Sequence, residues 1–265
     1  MKFPYFLVNA FCKGAFSGNP AGVCILEEWL STDELQNMAS QLYLPETAFV
    51  FPGKKNKWSI RWFTPKSEVE LCGHATMAAA HVLFEEGLVT KDSEITFSSN
   101  SGELRVGNDP KHRLRMDFPL LKARSSHISP ALVEGLGAYP DEVYLGTNCL
   151  CVFGEEETVA SLEPDFKILS CLDSCLGVIV TARTAKIGYH FVSRYFAPSV
   201  GINEDHATGS AHCLLAPYWG KKLGKEKLVA YQASPRGAEI RCELKDDRVI
   251  LSGAAETFVR GKMKF

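Results

Sequence analysis

Four residues of this 265-residue chain combine a type and a setting suited to moving a proton: Glu46, His74, Asp205 and Ser210. Glu46 stands in Leu44-Pro45-Glu46-Thr47-Ala48-Phe49, a carboxylate with apolar flanks where a strand is about to begin. Such surroundings fit a carboxylate for proton transfer near neutral pH, the task of a general base. His74 lies in Glu70-Leu71-Cys72-Gly73-His74-Ala75-Thr76, where Gly73 lets the backbone turn tightly into a helix. The first N–H groups of a helix lack partners within it, and together with the helix dipole they attract anions. The segment Asn203-Glu204-Asp205-His206-Ala207-Thr208-Gly209-Ser210-Ala211 offers the same device, with hydroxyls from Thr208 and Ser210 added. If the two helix ends face one cleft, a carboxylate or an enolate is held from both sides. The ordinary alternatives are plain helix starts and, for Glu46, a turn cap or a partner for an arginine.

Other chemistries find less support. The segment Ala207-Thr208-Gly209-Ser210 does not follow a dinucleotide-binding pattern, and no lysine sits in a Schiff-base setting. His74 and His81 are seven residues apart, and His206 and His212 six, rather than the four of a zinc-binding helix. Neither a cofactor nor a metal is expected. The nine cysteines are an odd number without a C-x-x-C pair, which reads as reduced thiols in the cytoplasm. Cys149, Cys151, Cys171 and Cys175 read as strand and loop thiols, and His81 and His212 as core histidines. A net charge of −2 argues against a broad basic face for nucleic acid. No apolar run approaches a membrane span, and the N-terminus lacks the apolar region of a secretory signal. The expected partner is a small-molecule substrate, with no nucleic acid and no membrane.

Elements that could position these residues come from an internal echo. RWFTP at Arg61 returns as RYFAP at Arg194, 133 residues later, and His74-Ala75-Thr76 returns as His206-Ala207-Thr208 after 132. Glu103 in SGELRV answers Glu239 in GAEIRC after 136, and Asn19 in GNPAGV answers Asn148 after 129. Four matches in one order argue for a duplicated unit of half the chain. Two similar α/β domains follow, residues 1–118 and 119–265, with a linker near Pro119–Pro130. An offset of 131 carries Glu46 to Gly177, so one half holds the base and the other supplies Asp205 and Ser210. Short apolar runs such as VCIL, AFVF, IRWF, GVIVTA and RVIL predict strands. Ser31 or Thr32 should cap a helix with Glu34 in its first turn. The run Ala75–Gly87 is apolar almost all round, which predicts a central helix surrounded by its own domain, with Ala207–Trp219 as its counterpart.

The blocks FSGNPAGVCIL, LPETAFVF, IRWFTPKSEVELCGHATMAAAHVLF, RYFAP and EDHATGSAH closely resemble the phenazine-biosynthesis PhzF-like family, over nearly the whole chain. The resemblance implies a diaminopimelate-epimerase-like fold: two α/β domains, each a mixed sheet around a central helix, with the active site between them. It implies homodimers, and a cofactor-independent isomerase of a small cyclic or carboxylate-bearing metabolite. The characterised phenazine member isomerises trans-2,3-dihydro-3-hydroxyanthranilate. By this resemblance Glu46 shuttles the proton, His74 is the active-site histidine, and Asp205 and Ser210 contact substrate. Gly73 and Gly209, with Thr208 beside them, shape the backbone that binds it. Two positions depart from the family pattern: Pro45 replaces a serine before Glu46, and His206 stands where proline is common.

Two other readings compete. A racemase with two thiols would use Cys72, but His206 occupies the position where the echo calls for its partner. A binding protein that has kept the fold without the chemistry would need none of the acid–base residues together.

Overall fold

The computed structural model describes residues 2–109, 111 and 113–264. The chain divides into two compact units, Met1–Asp117 with Ile250–Phe265, and Phe118–Val249. The division differs from a single cut at 118/119 in one respect: the C-terminal stretch returns to the first unit. The reason is a ten-residue strand near the C-terminus that pairs antiparallel with the strand at the N-terminus, from Lys2 opposite Lys264 to Ala10 opposite Ala255. The expected linker at Pro119–Pro130 is also not one. The boundary precedes it, and Ser125 within it already pairs with Tyr144 in the second unit's sheet.

The first unit runs β1 (Lys2–Ala10), β2 (Asn19–Ile25), α1 (Thr32–Leu42), β3 (Glu46–Pro52), β4 (Lys57–Phe63) and β5 (Glu68–Val69). It continues through α2 (Gly73–Glu85), β6 (Ile95–Ser99), β7 (Gly102–Asn108) and into β8 (Leu114–Pro119). The second runs β9 (Arg124–Ser125), α3 (Pro130–Leu136), β10 (Glu142–Leu145), β11 (Cys149–Phe153), α4 (Glu156–Ser161) and α5 (Phe166–Ser170). Then follow β12 (Val178–Arg183), β13 (Phe191–Phe196), α6 (Gly209–Leu223), β14 (Lys227–Gln232) and β15 (Ala238–Lys245), and β16 (Arg248–Gly253) begins in this unit and passes into the first at Ile250. The returning strand of the first unit is β17 (Ala255–Lys264).

The ladders repeat in order. In the first unit β1–β2 is antiparallel, β2–β3 parallel, β3–β4 antiparallel, β4–β6 parallel and β6–β7 antiparallel. In the second, β10–β11, β11–β12, β12–β13, β13–β14 and β14–β15 follow the same alternation. Parallel neighbours need a crossover, and each central helix supplies one, α2 between β4 and β6 and α6 between β13 and β14.

Both central helices are buried on nearly every side. In α2 every residue from His74 to Ala80 is buried, against β1, β2, β3 and β17. In α6, Ala211–Ala216 are buried, and the helix lies on β14 and β15. A helix apolar all round has this as its stable solution. Each ends at a left-handed glycine, Gly87 and Gly224, where a side chain would strain the backbone. The peripheral α1 is different: Ser31 and Glu34 form a complete capping box, and only Leu35, Met38 and Ala39 are buried. Among the described residues no helix is long and apolar enough to cross a membrane.

Candidate active site

In the first unit, β3 and α2 bring Glu46 and His74 together. Glu46 opens β3 opposite Ala21 of β2, and His74 is the second residue of α2. Both are buried, with Glu46 Oε2 3.1 Å from His74 Nε2, an ion-pair contact rather than a well-angled hydrogen bond. The other ring nitrogen, Nδ1, lies 3.2 Å from Asn19 Nδ2 and 3.5 Å from Cys72 Sγ. Glu46 therefore meets the histidine, and among the described residues it neither caps a turn nor pairs with an arginine.

Charge in this buried cluster is distributed unevenly. Burial pushes the Cys72 thiol up, and the nearby Glu46 carboxylate pushes it further, so it stays a thiol. Burial opposes the His74 imidazolium, but its acidic neighbours Cys72 and Glu46 outweigh that and hold it well above its ordinary value. Because Cys72 keeps its proton, the carboxylate of Glu46 is the partner that favours a charged ring. The ligand-type atoms of Glu46, Cys72 and His74 fall within 4.8 Å of one another. The carboxylate lies against one ring nitrogen and the thiol against the other.

The second unit builds its counterpart around a carboxylate tied to a hydroxyl that an amide also holds. The Asp205 carboxylate accepts from the Thr208 hydroxyl, and its backbone N–H donates to the Tyr195 carbonyl. Gln232 of β14 is fully buried and ties the loop together. Its Oε1 accepts from Thr208 N–H at 2.8 Å, and its Nε2 donates to the Asp205 carbonyl at 2.7 Å and to Thr208 Oγ1 at 3.1 Å. Thr208 and Gly209 are buried, while Ser210 is exposed in the first turn of α6. Neither Cys72 nor Thr208, the residues before the two central helices, makes a side-chain cap hydrogen bond.

These helix starts revise one repeat match. Gly73 begins α2 and Gly209 begins α6, so the structure aligns Cys72-Gly73-His74-Ala75 with Thr208-Gly209-Ser210-Ala211. His206 lies in the loop before α6 and is not the equivalent of His74, which is on a helix. The two-thiol reading thus meets Thr208, a hydroxyl, opposite Cys72. Cys213 lies inside α6, its Sγ 3.5 Å from the Gly209 carbonyl.

Two repeat matches gain a physical meaning. Arg61 of β4 forks onto Glu68, with Nε–Oε1 and Nη2–Oε2 both 2.7 Å. Arg194 of β13 forks onto Glu204 at 2.8 and 2.9 Å. Each bidentate pair anchors the segment leading into a central helix. The β12–β13 ladder sets Val180 opposite Arg194 as β3–β4 sets Phe49 opposite Arg61, which puts Gly177 where Glu46 stands. A side chain has no room there, since a Cβ on Gly177 would lie 2.4 Å from the Tyr195 hydroxyl. Sequence reasoning missed Gln232 and the two arginine forks. The paired glutamates, 136 residues apart, were the available signal for the forks; Gln232 left none.

Comparison with known proteins agrees with this architecture. The family model described as phenazine biosynthesis-like protein matches residues 8–261. The chain belongs to that family. An uncharacterized isomerase of Halalkalibacterium halodurans is 42% identical over 99% of both chains. The crystal structure of a PhzF-family phenazine biosynthesis protein from Enterococcus faecalis superposes with a TM-score of 0.95 at 44% identity, covering 100% of both chains. A hydroxyproline epimerase from Agrobacterium vitis, 9% identical and covered to 92% by 98% of this chain, shares the fold with a TM-score of 0.62. The family's fold thus extends to epimerases.

Proposed function

We propose that the protein is a cofactor-independent isomerase that relocates a proton on a small carboxylate-bearing or cyclic metabolite. Glu46 removes the proton from carbon, carries it as the carboxylic acid and returns it to another position, and His74 stabilises the carboxylate form before the first transfer and after the second. One observation carries this reading: a buried carboxylate lies 3.1 Å from a buried imidazole. A buried pair of this kind is a weak source of stability, because desolvation offsets the attraction, whereas perturbed buried groups favour proton transfer. The isomerase names of the family's relatives support the reaction class.

Asp205, Thr208 and Ser210, with the backbone N–H groups at Gly73 and Gly209, are assigned to binding the substrate's polar groups and its developing negative charge. Asp205 is held by Thr208, Tyr195 and Gln232, which suits it to orient a hydroxyl or amine rather than to exchange protons with Glu46. A cytoplasmic location and a homodimer, which family resemblance suggests, belong to the same proposal.

The test is proton exchange with solvent. The protein is incubated in deuterated water with trans-2,3-dihydro-3-hydroxyanthranilate and a panel of small unsaturated or 2-substituted carboxylates, and NMR reads carbon-bound deuterium. Incorporation that Glu46→Gln abolishes supports the reading. Incorporation that survives Glu46→Gln and disappears in Cys72→Ala would instead favour thiol chemistry.

A further inference from the structure

We propose that Asn19 is a positioning residue for His74: its side-chain amide satisfies Nδ1 in both protonation states of the ring and keeps Nε2 on Glu46. The inference rests on the acid–base reading of Glu46 and His74, and adds a residue that reading does not use.

The geometry is local to the first unit. Asn19 is fully buried at the start of β2, and its Nδ2 lies 3.2 Å from His74 Nδ1. In the neutral ring an amide N–H directed at Nδ1 makes that nitrogen an acceptor, and the single ring proton then sits on Nε2, which faces Glu46 Oε2 at 3.1 Å. When the ring gains a second proton, Nδ1 becomes a donor and needs an acceptor. A half-turn of the same amide presents Oδ1 at that position, since the two ends of the group are nearly equal in size. Cys72 Sγ, 3.5 Å from Nδ1, is a weaker partner in either state. A carboxylate at position 19 could only accept, and a hydroxyl on a short side chain would not reach. An amide is the neutral group that can do both.

The repeat supplies a second, independent observation. Asn148 occupies the corresponding place just before β11, and it too is buried. That unit has Ser210 at the helix position of His74, yet the amide still orients a ring: Asn148 Oδ1 accepts from the Tyr195 hydroxyl at 3.0 Å. In both units the asparagine at this place fixes an aromatic ring bearing a polar atom, and only the ring differs.

The titratable groups against the His74 ring are Glu46 from β3 and Cys72 from the turn before α2, so the effect of Asn19 can be isolated. The experiment follows the ring nitrogens of His74 by NMR in histidine-labelled protein as pH is varied, in wild type, Asn19→Asp and Asn19→Leu. In Asn19→Asp a fixed acceptor faces Nδ1, and the His74 midpoint rises by about one pH unit or more, a tenfold change in proton affinity. In Asn19→Leu neither state is satisfied at Nδ1, and the midpoint falls by a similar amount. His81 and His212 serve as internal controls and do not move. Shifts of opposite sign are the signature, because general loosening of the site would move both variants the same way. Should Asn19→Leu fail to fold, Asn19→Ser takes its place and must lower the midpoint; should Asn19→Asp fail, Asn19→Leu and Asn19→Ser must both lower it. A fall in Asn19→Asp, a rise in Asn19→Leu or Asn19→Ser, or no shift in the variants that fold overturns the proposal. The titration needs no substrate. Opposite shifts without any deuterium exchange would sink the isomerase reading alone, and unshifted titrations with exchange intact would sink this one alone.

Discussion

The two central helices begin alike and face different chemistry. At α2 the start holds a thiol, an imidazole and a carboxylate in one buried cluster, whereas at α6 it holds hydroxyls, an amide and one tethered carboxylate. The backbone frame is common to both: a glycine at the first position, an extended residue before it, and an arginine–glutamate fork anchoring the approach. Duplication has therefore preserved the frame that presents groups and changed the groups presented. The difference is sharpest at one place. Where the first unit has Glu46, the second has Gly177 with the Tyr195 hydroxyl packed against it, so the second unit cannot acquire the same base by a single substitution.

The largest expected contrast between the halves is chemical. Glu46→Gln lowers the rate of proton exchange by about two to four orders of magnitude, the range for losing a general base. Asp205→Asn, which keeps most of its hydrogen bonds, acts mainly on KM. Steady-state kinetics on a substrate found by deuterium exchange separates the two. Equal losses of kcat in both variants would break the division of labour between the units.

The forks give the next contrast, in stability. The Arg194 fork is nearly enclosed, and its Nη1 also donates to the carbonyls of Val159, Ala160 and Leu162. Arg194→Met leaves the largely enclosed Glu204 carboxylate without its guanidinium, a loss of about 3 kcal/mol. The Arg61 fork is more open, with side-chain exposures of 20% and 27%, so Arg61→Met costs about 1 kcal/mol. Chemical denaturation of the two variants measures the difference, and equal losses would show that burial does not govern it.

Gln232→Leu should cost about 2–3 kcal/mol, because it leaves Thr208 N–H and the Asp205 carbonyl without their buried partner. The same variant loosens the second unit's loop while the ring nitrogens of His74 keep their NMR signature.

A last contrast lies in pH dependence. Burial pushes His212 down to about 4, against only a hydrogen bond with the Thr208 carbonyl. A group whose folded value is depressed binds its proton more readily when unfolded. Its contribution is present above about 6.5 and is lost as pH falls toward 4, on the order of 3 kcal/mol. His74 has the opposite sign. Its folded value is raised, so its contribution is full below about 6.5 and is lost as pH rises through the folded value. Unfolding free energies measured against pH should therefore decline on the acid side through His212 and on the alkaline side through His74. His74→Gln flattens only the alkaline arm.

Much of the frame was legible in the residues themselves. Apolar runs around Val23, Phe49, Ile60, Ile179 and Leu251 became strands, and Ser31 with Glu34 became the cap of α1, because these signals depend on neighbours close in sequence. Helices without a polar face had to be enclosed, and α2 and α6 are. The arginine repeats marked equivalent strands, though their glutamate partners were not apparent.

What the sequence determined, then, is the duplication, the buried helices and the residue types available for proton transfer, since composition and periodicity suffice for each. Tertiary structure alone decided which of those residues meet. It set Asn19 and Glu46 on either side of His74 across separations of 55 and 28 residues, and it moved His206 off the helix while bringing Gln232 to the loop before α6. It also returned β17 to the first unit. The physical reason is that hydrogen bonds and ion pairs between distant strands and helices depend on register and packing, and no local pattern encodes those distances.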